Sequence, residues 1–314
     1  MNIAFVQYGI LNIIFAVLLS PLFVSMIKKV KALAQGRHGP SLLQAYYNTF
    51  KLLKKETVYS TNSSWVMRTT PYINMAVMCV ATLFVPMVIM PAPISSIGNI
   101  ILFLYLLALA KFFMALSGLD AGSTFGGMGS SREMTISAII EPVIIVVFAA
   151  LAFTMKTTNM IEMFVGILAT SALFSNPVLI LVSISVFIII IVESARVPVD
   201  NPETHLELTM VHEAMILEQS GKNLAMMEWS HAIKQMLLMG VLINIIFPWG
   251  IAAQITLAGL AISALIFIIK ATVLSAAIGL FESSIAKSRL FHLPDLFMIA
   301  LFFSLVTILI EVFA

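Results

Sequence analysis

Long apolar runs, broken by two polar stretches, organise this chain. The runs lie near Phe5–Ile27, Tyr72–Met90, Ile97–Ser117, Met134–Met155, Pro177–Val192, Met236–Ile255, Leu257–Leu280 and Leu296–Val312. A helix rising about 1.5 Å per residue needs about 20 residues to cross a hydrocarbon layer roughly 30 Å thick. The pattern therefore predicts an all-α integral membrane protein, a single membrane domain over 1–314 with about eight transmembrane helices. The stretch Ile161–Phe174 is apolar but short and rich in small residues, and reads as an interfacial or re-entrant piece. No positive charge precedes the first apolar run, so that helix is expected to stay in place rather than be cleaved as a signal peptide.

Composition agrees with the pattern: 61% of the 314 residues are hydrophobic and 10% charged, too few charges to shell a water-soluble core. The net charge of +2 says less than its distribution. Lys and Arg crowd into alternate connections, from Lys28 to Arg68, then at Arg132, at Arg196, Lys222 and Lys234, and at Lys287 and Arg289. The opposite connections offer Lys156. By the positive-inside bias, cytoplasmic segments are expected at about 28–71, 118–133, 193–235 and 281–295, with both termini on the non-cytoplasmic side. The single Cys79 lies mid-span, so a disulfide framework or a thiolate-held cluster cannot be built from this chain alone. The 20 methionines read mostly as apolar filler.

Within the first polar stretch, Leu42, Leu43, Tyr46, Tyr47, Phe50 and Leu53 share one helical face, and Gln44, Asn48, Lys51 and Lys55 the other. This predicts an amphipathic interfacial helix after the first span. The glycine-dense segment Gly118–Glu133 lacks the Lys-Ser/Thr of a phosphate loop and reads as close backbone packing. In the second polar stretch a helix is expected to open near Asp200 or Asn201, with Pro202 in its first turn and Glu203 and Glu207 one turn apart.

Lys111, Glu141 and Lys270 fall inside apolar runs. Each would cost several kcal/mol facing lipid and should face the interior or water. They serve either as mutual neutralisers or as stepping stones for a proton. Glu193 and Arg196 would pair at i, i+3 if their helix continues, and Asp120, Glu282 and Glu311 fall at span ends, where solvated roles are expected. The acids and histidines from Glu203 to Glu218 lack the second histidine of a zinc-protease helix, since His212-Glu213 is followed by Ala214, Met215 and Ile216.

The stretch GRHGPSLLQAYYNTFKLLKKE resembles the first cytoplasmic segment of the membrane subunit called H, or subunit 1, of respiratory complex I. ESARVPVDNPE is similar to that family's acidic and arginine segment before the sixth span, and Arg132 followed by Glu141 matches its arginine and buried glutamate. The phrases SGLDAGS, GSSRE and MMEWSHAIKQ look more like the corresponding subunit of formate hydrogenlyase, hydrogenase-4 and other group 4 membrane-bound nickel-iron hydrogenases.

The resemblance implies a prokaryotic cell membrane subunit with no redox centre of its own. It would anchor a soluble arm and link it to ion-translocating subunits. The implied partners are hydrogenase-like large and small subunits, a ferredoxin-like iron-sulfur subunit and antiporter-like membrane subunits, with no nucleic acid. The nickel-iron centre and iron-sulfur clusters belong to those partners. The ion path implied by the resemblance runs over Glu141, Glu193, Glu203 and Glu207, to which the intramembrane Lys111 and Lys270 are added from their place in apolar runs, and the expected docking contacts are Arg37, Gln44, Arg196, Asp200 and His205. Alternatives are a quinone-site subunit of a complex I-like NADH dehydrogenase and a stand-alone cation/proton antiporter.

Overall fold

The computed structural model describes residues 3–90, 98–170, 177–201, 210–252 and 256–313. Among them all regular structure is helical, with two isolated β-bridges. The helices are α1 (Ile3–Ala34), α2 (Gln44–Leu53), α3 (Trp65–Ala81), α4 (Ile100–Asp120), α5 (Thr124–Met155), α6 (Met160–Thr170), α7 (Pro177–Glu193), α8 (His212–Ile216), α9 (Gly221–Ile246), α10 (Leu257–Ser284) and α11 (Leu293–Phe313).

Six helices, α1, α4, α5, α9, α10 and α11, are long and apolar enough to cross a membrane. α3 and α7, expected as full spans, are each 17 residues, about 26 Å of helix. α6 occupies most of the short stretch read as interfacial or re-entrant; at 11 residues it is too short to cross, and Met163, Phe164 and Ile167 are buried.

α9 is the central post. In its most apolar window 78% of residues are buried, against 22% in α10 and in α11, whose Leu265, Ile269, Val273 and Phe302 stay exposed as a lipid-facing surface requires. Packed by protein on its sides, α9 can carry Ser230, Gln235 and Asn244 indoors. It also starts earlier than the apolar run beginning at Met236 predicts, because the polar residues before that run face the interior.

The expected span Tyr72–Met90 is corrected: α3 begins at Trp65, ends at Ala81, and yields to a 3-10 turn over Thr82–Phe84 and then extended backbone. Open backbone at this depth has to be hydrogen-bonded by protein. Asn12 of α1 donates to the carbonyls of Thr82 and Val85 at 2.5 and 2.9 Å, and its Oδ1 accepts from Met87 N at 3.3 Å. Tyr8 donates to Leu83 O, and Asn244 to Pro86 O. α9 breaks likewise after Ile246, and the two breaks meet: Met90 N donates to Ala252 O at 2.9 Å and Ala252 N to Val88 O at 3.0 Å.

The glycine-dense segment turns out mostly helical. Glycine weakens a helix by about 1 kcal/mol, so tertiary contact must hold this one. A Cβ on Gly126 would lie 2.3 Å from the Gly118 carbonyl, and one on Gly129 2.7 Å from Ala214 Cβ. The close packing expected from composition is what seats α5 against α4 and α8.

Candidate functional site

α7 closes at Glu193 through a tight turn. Ala195 takes the left-handed conformation (φ 48°), Ala195 N donates to Val192 O, and Arg196 N to Ile191 O. The chain therefore leaves the helical path between Glu193 and Arg196, and the i, i+3 pair expected from sequence does not form. Each finds other partners instead.

Glu193 is buried between two lysines, Lys111 of α4 at 2.6 Å and Lys234 of α9 at 2.5 Å. Glu133 of α5 stands by the same two lysines. Lys111, Glu141 and Glu193 also line a mostly apolar pocket of about 300 Å3 between α4 and α5, rimmed by exposed Ile101, Tyr105 and Ile145. Sequence thus named three members of one cluster. It missed Lys234, because the span was started two residues too late to include it.

Arg196, buried, bonds Gln235 Oε1 at 2.8 Å and lies 3.5 Å from Glu282; Lys31 approaches the same carboxylate at 3.6 Å. Glu282, expected to be solvated at a span end, is 3% exposed. That expectation fails because α10 and α1 pack together here, with the backbone of Gly279 close against Ile27 and Val30. Asp200 is buried too: it accepts from Asn201 N, Val211 N and His212 N and holds Lys287 at 2.6 Å. Arg196 and Asp200, two of the expected docking contacts, are therefore committed to interior partners. The helix expected to open at Asp200, with Glu203, His205 and Glu207, lies outside the described residues.

Below this network opens a cavity of about 280 Å3 between α1, α2, α8 and α9. Lys28, Gln44, Glu213, Glu228, His212 and His231 contribute to its polar lining, and Arg196 and Asp200 of the network reach its wall. Withdrawal from water, reinforced by the Glu228 carboxylate, lifts the Glu213 carboxyl to about 7. Withdrawal from water and then the Lys234 ammonium drop His212 to about 4. Near neutral pH the cavity thus presents a carboxyl that can hold or release a proton, beside a neutral imidazole.

Gln44 sits at the cavity edge and donates to Asn48 at 3.0 Å, while Leu43, Tyr47 and Phe50 of α2 are exposed, as an interfacial helix requires. α1 ends where Gly36 adopts φ 72°, with Arg37 N bonded to Ala32 O, and this leaves the Arg37 side chain exposed. Lys270 stands apart from the cluster. Its ammonium donates to Phe247 O at 2.7 Å and to Trp249 O, and lies 4.2 Å from the Trp249 ring centroid, satisfying the break after α9. Among the described residues no three His, Cys, Asp or Glu side chains converge to hold a metal ion.

Comparison with known proteins gives consistent matches. The family model described as NADH dehydrogenase matches residues 7–312. Formate hydrogenlyase subunit 4 of Escherichia coli (strain K12) is 31% identical over 285 residues, covering 91% of this chain and 92% of the relative. Hydrogenase-4 component C of the same organism is 30% identical, covering 90% and 89%. A chain in the structure of the membrane-bound sulfane sulfur reductase, an archaeal respiratory membrane complex, shares the fold with a TM-score of 0.79 at 18% identity, over 97% of this chain and 100% of that one.

Proposed function

Since the chain belongs to the NADH dehydrogenase family and is a multi-pass protein of the prokaryotic inner membrane, we propose that it is the non-redox anchor and proton-coupling subunit of a formate hydrogenlyase or hydrogenase-4-like complex. In this reading α3 and α7 join the six long helices to make eight spans, with both termini on the non-cytoplasmic side. The cavity end faces the cytoplasm, where hydrogenase-like and ferredoxin-like subunits carrying the nickel-iron and iron-sulfur centres dock around Arg37. Antiporter-like subunits lie beside the membrane domain.

One observation carries the coupling role: Glu193 bridges Lys111 and Lys234, with Glu133 beside the lysines and Glu141 on the wall of the same pocket. Neutralising a single lysine needs one carboxylate. A row of carboxylates alternating with lysines gives a proton successive places to rest at modest cost. Glu203 and Glu207 are further members of the path in this proposal.

The test is the whole complex in proteoliposomes, with Glu193→Gln and Glu141→Gln. Both variants should assemble and turn over electrons while the ion moved per electron falls to background. Wild-type pumping in both returns the cluster to a structural role. A quinone-site subunit is a second reading, favoured by the 280 Å3 cavity; turnover and pumping that persist after quinone extraction decide against it.

A further inference from the structure

The two histidines left without a role above occupy a particular place. His212 of α8 and His231 of α9 lie with ring centroids 4.4 Å apart, tilted by 50°. Both line the 280 Å3 cavity, and both also line a second, far smaller chamber of about 30 Å3. The other charged groups of the two spaces differ. The cavity has Lys28, Glu213 and Glu228, with Arg196 and Asp200 on its inner wall; the chamber has Lys111, Glu133 and Lys234. A space of that size is polar and large enough for a water molecule. With Met227, the imidazole pair thus forms the wall shared by the cavity and the chamber beside the buried row, and it is the part of that wall able to carry a proton.

We infer that His212 and His231 are the proton-passing partition between the cavity and the buried charge row. This inference rests on the coupling role proposed above and names the residues by which a proton enters it. A neutral His231 carries one ring N–H, and its second nitrogen can accept a proton. The proton leaves the Glu213 or Glu228 carboxyl, exchanging an O–H for an N–H bond on His212. It passes to the second nitrogen of His231, and then to the chamber water and the Glu133 carboxylate. Both rings end neutral, as they began, and no electron moves.

The surroundings of His212 keep its protonated state brief. Withdrawal from water opposes an imidazolium there most, and Lys234 and Lys111 add to it; Asp200 and Glu193 offset them in part. Low affinity for a resting proton is what a passage needs, because a ring that held its proton would block the next.

The test uses the intact complex in proteoliposomes with an internal pH dye. His212→Gln and His231→Gln keep hydrogen bonding but carry no proton, and each should cut proton transfer on the order of 10²-fold while electron turnover with a protonophore persists. Added imidazole should restore pumping to His231→Ala, whose vacated space opens on the cavity. Wild-type pumping in both Gln variants, with pumping lost in Glu193→Gln, overturns the partition and leaves the coupling role standing. Wild-type pumping in all three overturns the coupling role itself. Failure of imidazole to restore His231→Ala makes the pair a packing contact and overturns the proposal. Should the variants not assemble, infrared difference spectra of the unmodified complex with ring-labelled histidine decide: imidazole bands that change during turnover support it, and a histidine-silent spectrum overturns it.

Discussion

The carboxylate of Glu282 lies 3.5 Å from the guanidinium of Arg196, joining α10 to the turn after α7 in a region closed to water. Lys31 completes the triad from α1. Removing the carboxylate leaves two buried cations facing one another. Glu282→Ala should destabilise the protein by about 3–5 kcal/mol, the usual cost of orphaning a buried ion-pair partner. Combining it with Arg196→Gln should recover part of the loss. Thermal unfolding of the detergent-solubilised complex measures both, and an unchanged midpoint in Glu282→Ala would show that the triad holds nothing together.

The opposed shifts of Glu213 and His212 predict cancelling pH dependences. The Glu213 carboxyl rises from 4.5 to about 7, so between those values the folded chain holds a proton that the unfolded chain has lost, and stability falls as pH rises. His212 drops from 6.5 to about 4, so across that window the unfolded chain holds the extra proton and stability rises with pH. Glu228, Lys28, Asp200 and Arg196 act on the first; Lys234, Asp200, Glu193 and Lys111 act on the second. Where the windows overlap the two slopes offset. Glu213→Gln should therefore expose a rising stability profile and His212→Gln a falling one, read as unfolding midpoints from about pH 4.5 to 6.5. Parallel profiles in the two variants contradict the assignment.

Gly129 lets α8 lie on α5. A side chain there meets Ala214 Cβ at 2.7 Å and the Val211 carbonyl at 2.9 Å. Gly129→Val should push α8 outward, moving His212 and Glu213 with it, at a cost of about 1–3 kcal/mol for overpacking. Gly127, with open space around it, is the control. Cross-linking between cysteines placed on α5 and α8 should weaken in the Gly129 variant alone.

Lys270→Met removes the donor to the carbonyls of Phe247 and Trp249. A fully buried acceptor left unpaired costs about 1–3 kcal/mol, and these part-buried carbonyls should cost less each. The expected result is a lowered unfolding midpoint with ions moved per electron unchanged, and pumping assays on the stabilised fraction separate this from a place in the ion path.

Arg37 is exposed just beyond the glycine that ends α1. A guanidinium can form forked bonds to a partner carboxylate that alanine cannot and lysine makes only in part. Arg37→Ala should release the soluble subunits on purification, with Arg37→Lys intermediate. Full recovery of those subunits with the Ala variant removes Arg37 from the docking contact.

Much of this was legible from apolar periodicity: the positions of α1, α4, α7, α10 and α11, the amphipathic α2, the burial of Lys111 and Lys270 and the half-buried place of Glu141 on a pocket wall all follow from charges being costly in lipid. The breaks after α3 and α9 were not, because hydropathy reports burial and is blind to backbone direction. Asn12 and Asn244, amides in otherwise apolar runs, were the available signal, since such an amide has to find a backbone group nearby. Glu282 and Lys234 escaped notice for a related reason. A charge at the edge of an apolar run reads as solvated unless the neighbouring helix is known to extend past it, and that depends on tertiary packing.

The paired breaks over 85–90 and 247–252 have a consequence for how this chain can change in length. Each stretch is measured against the other: Met90 and Ala252, and Ala252 and Val88, are joined by hydrogen bonds, while Asn12, Asn244 and Lys270 grip fixed carbonyls on either side. Adding one residue to either stretch would slide every bond on that side out of step. The two stretches, far apart along the chain, can lengthen or shorten only together, like the two halves of a clasp.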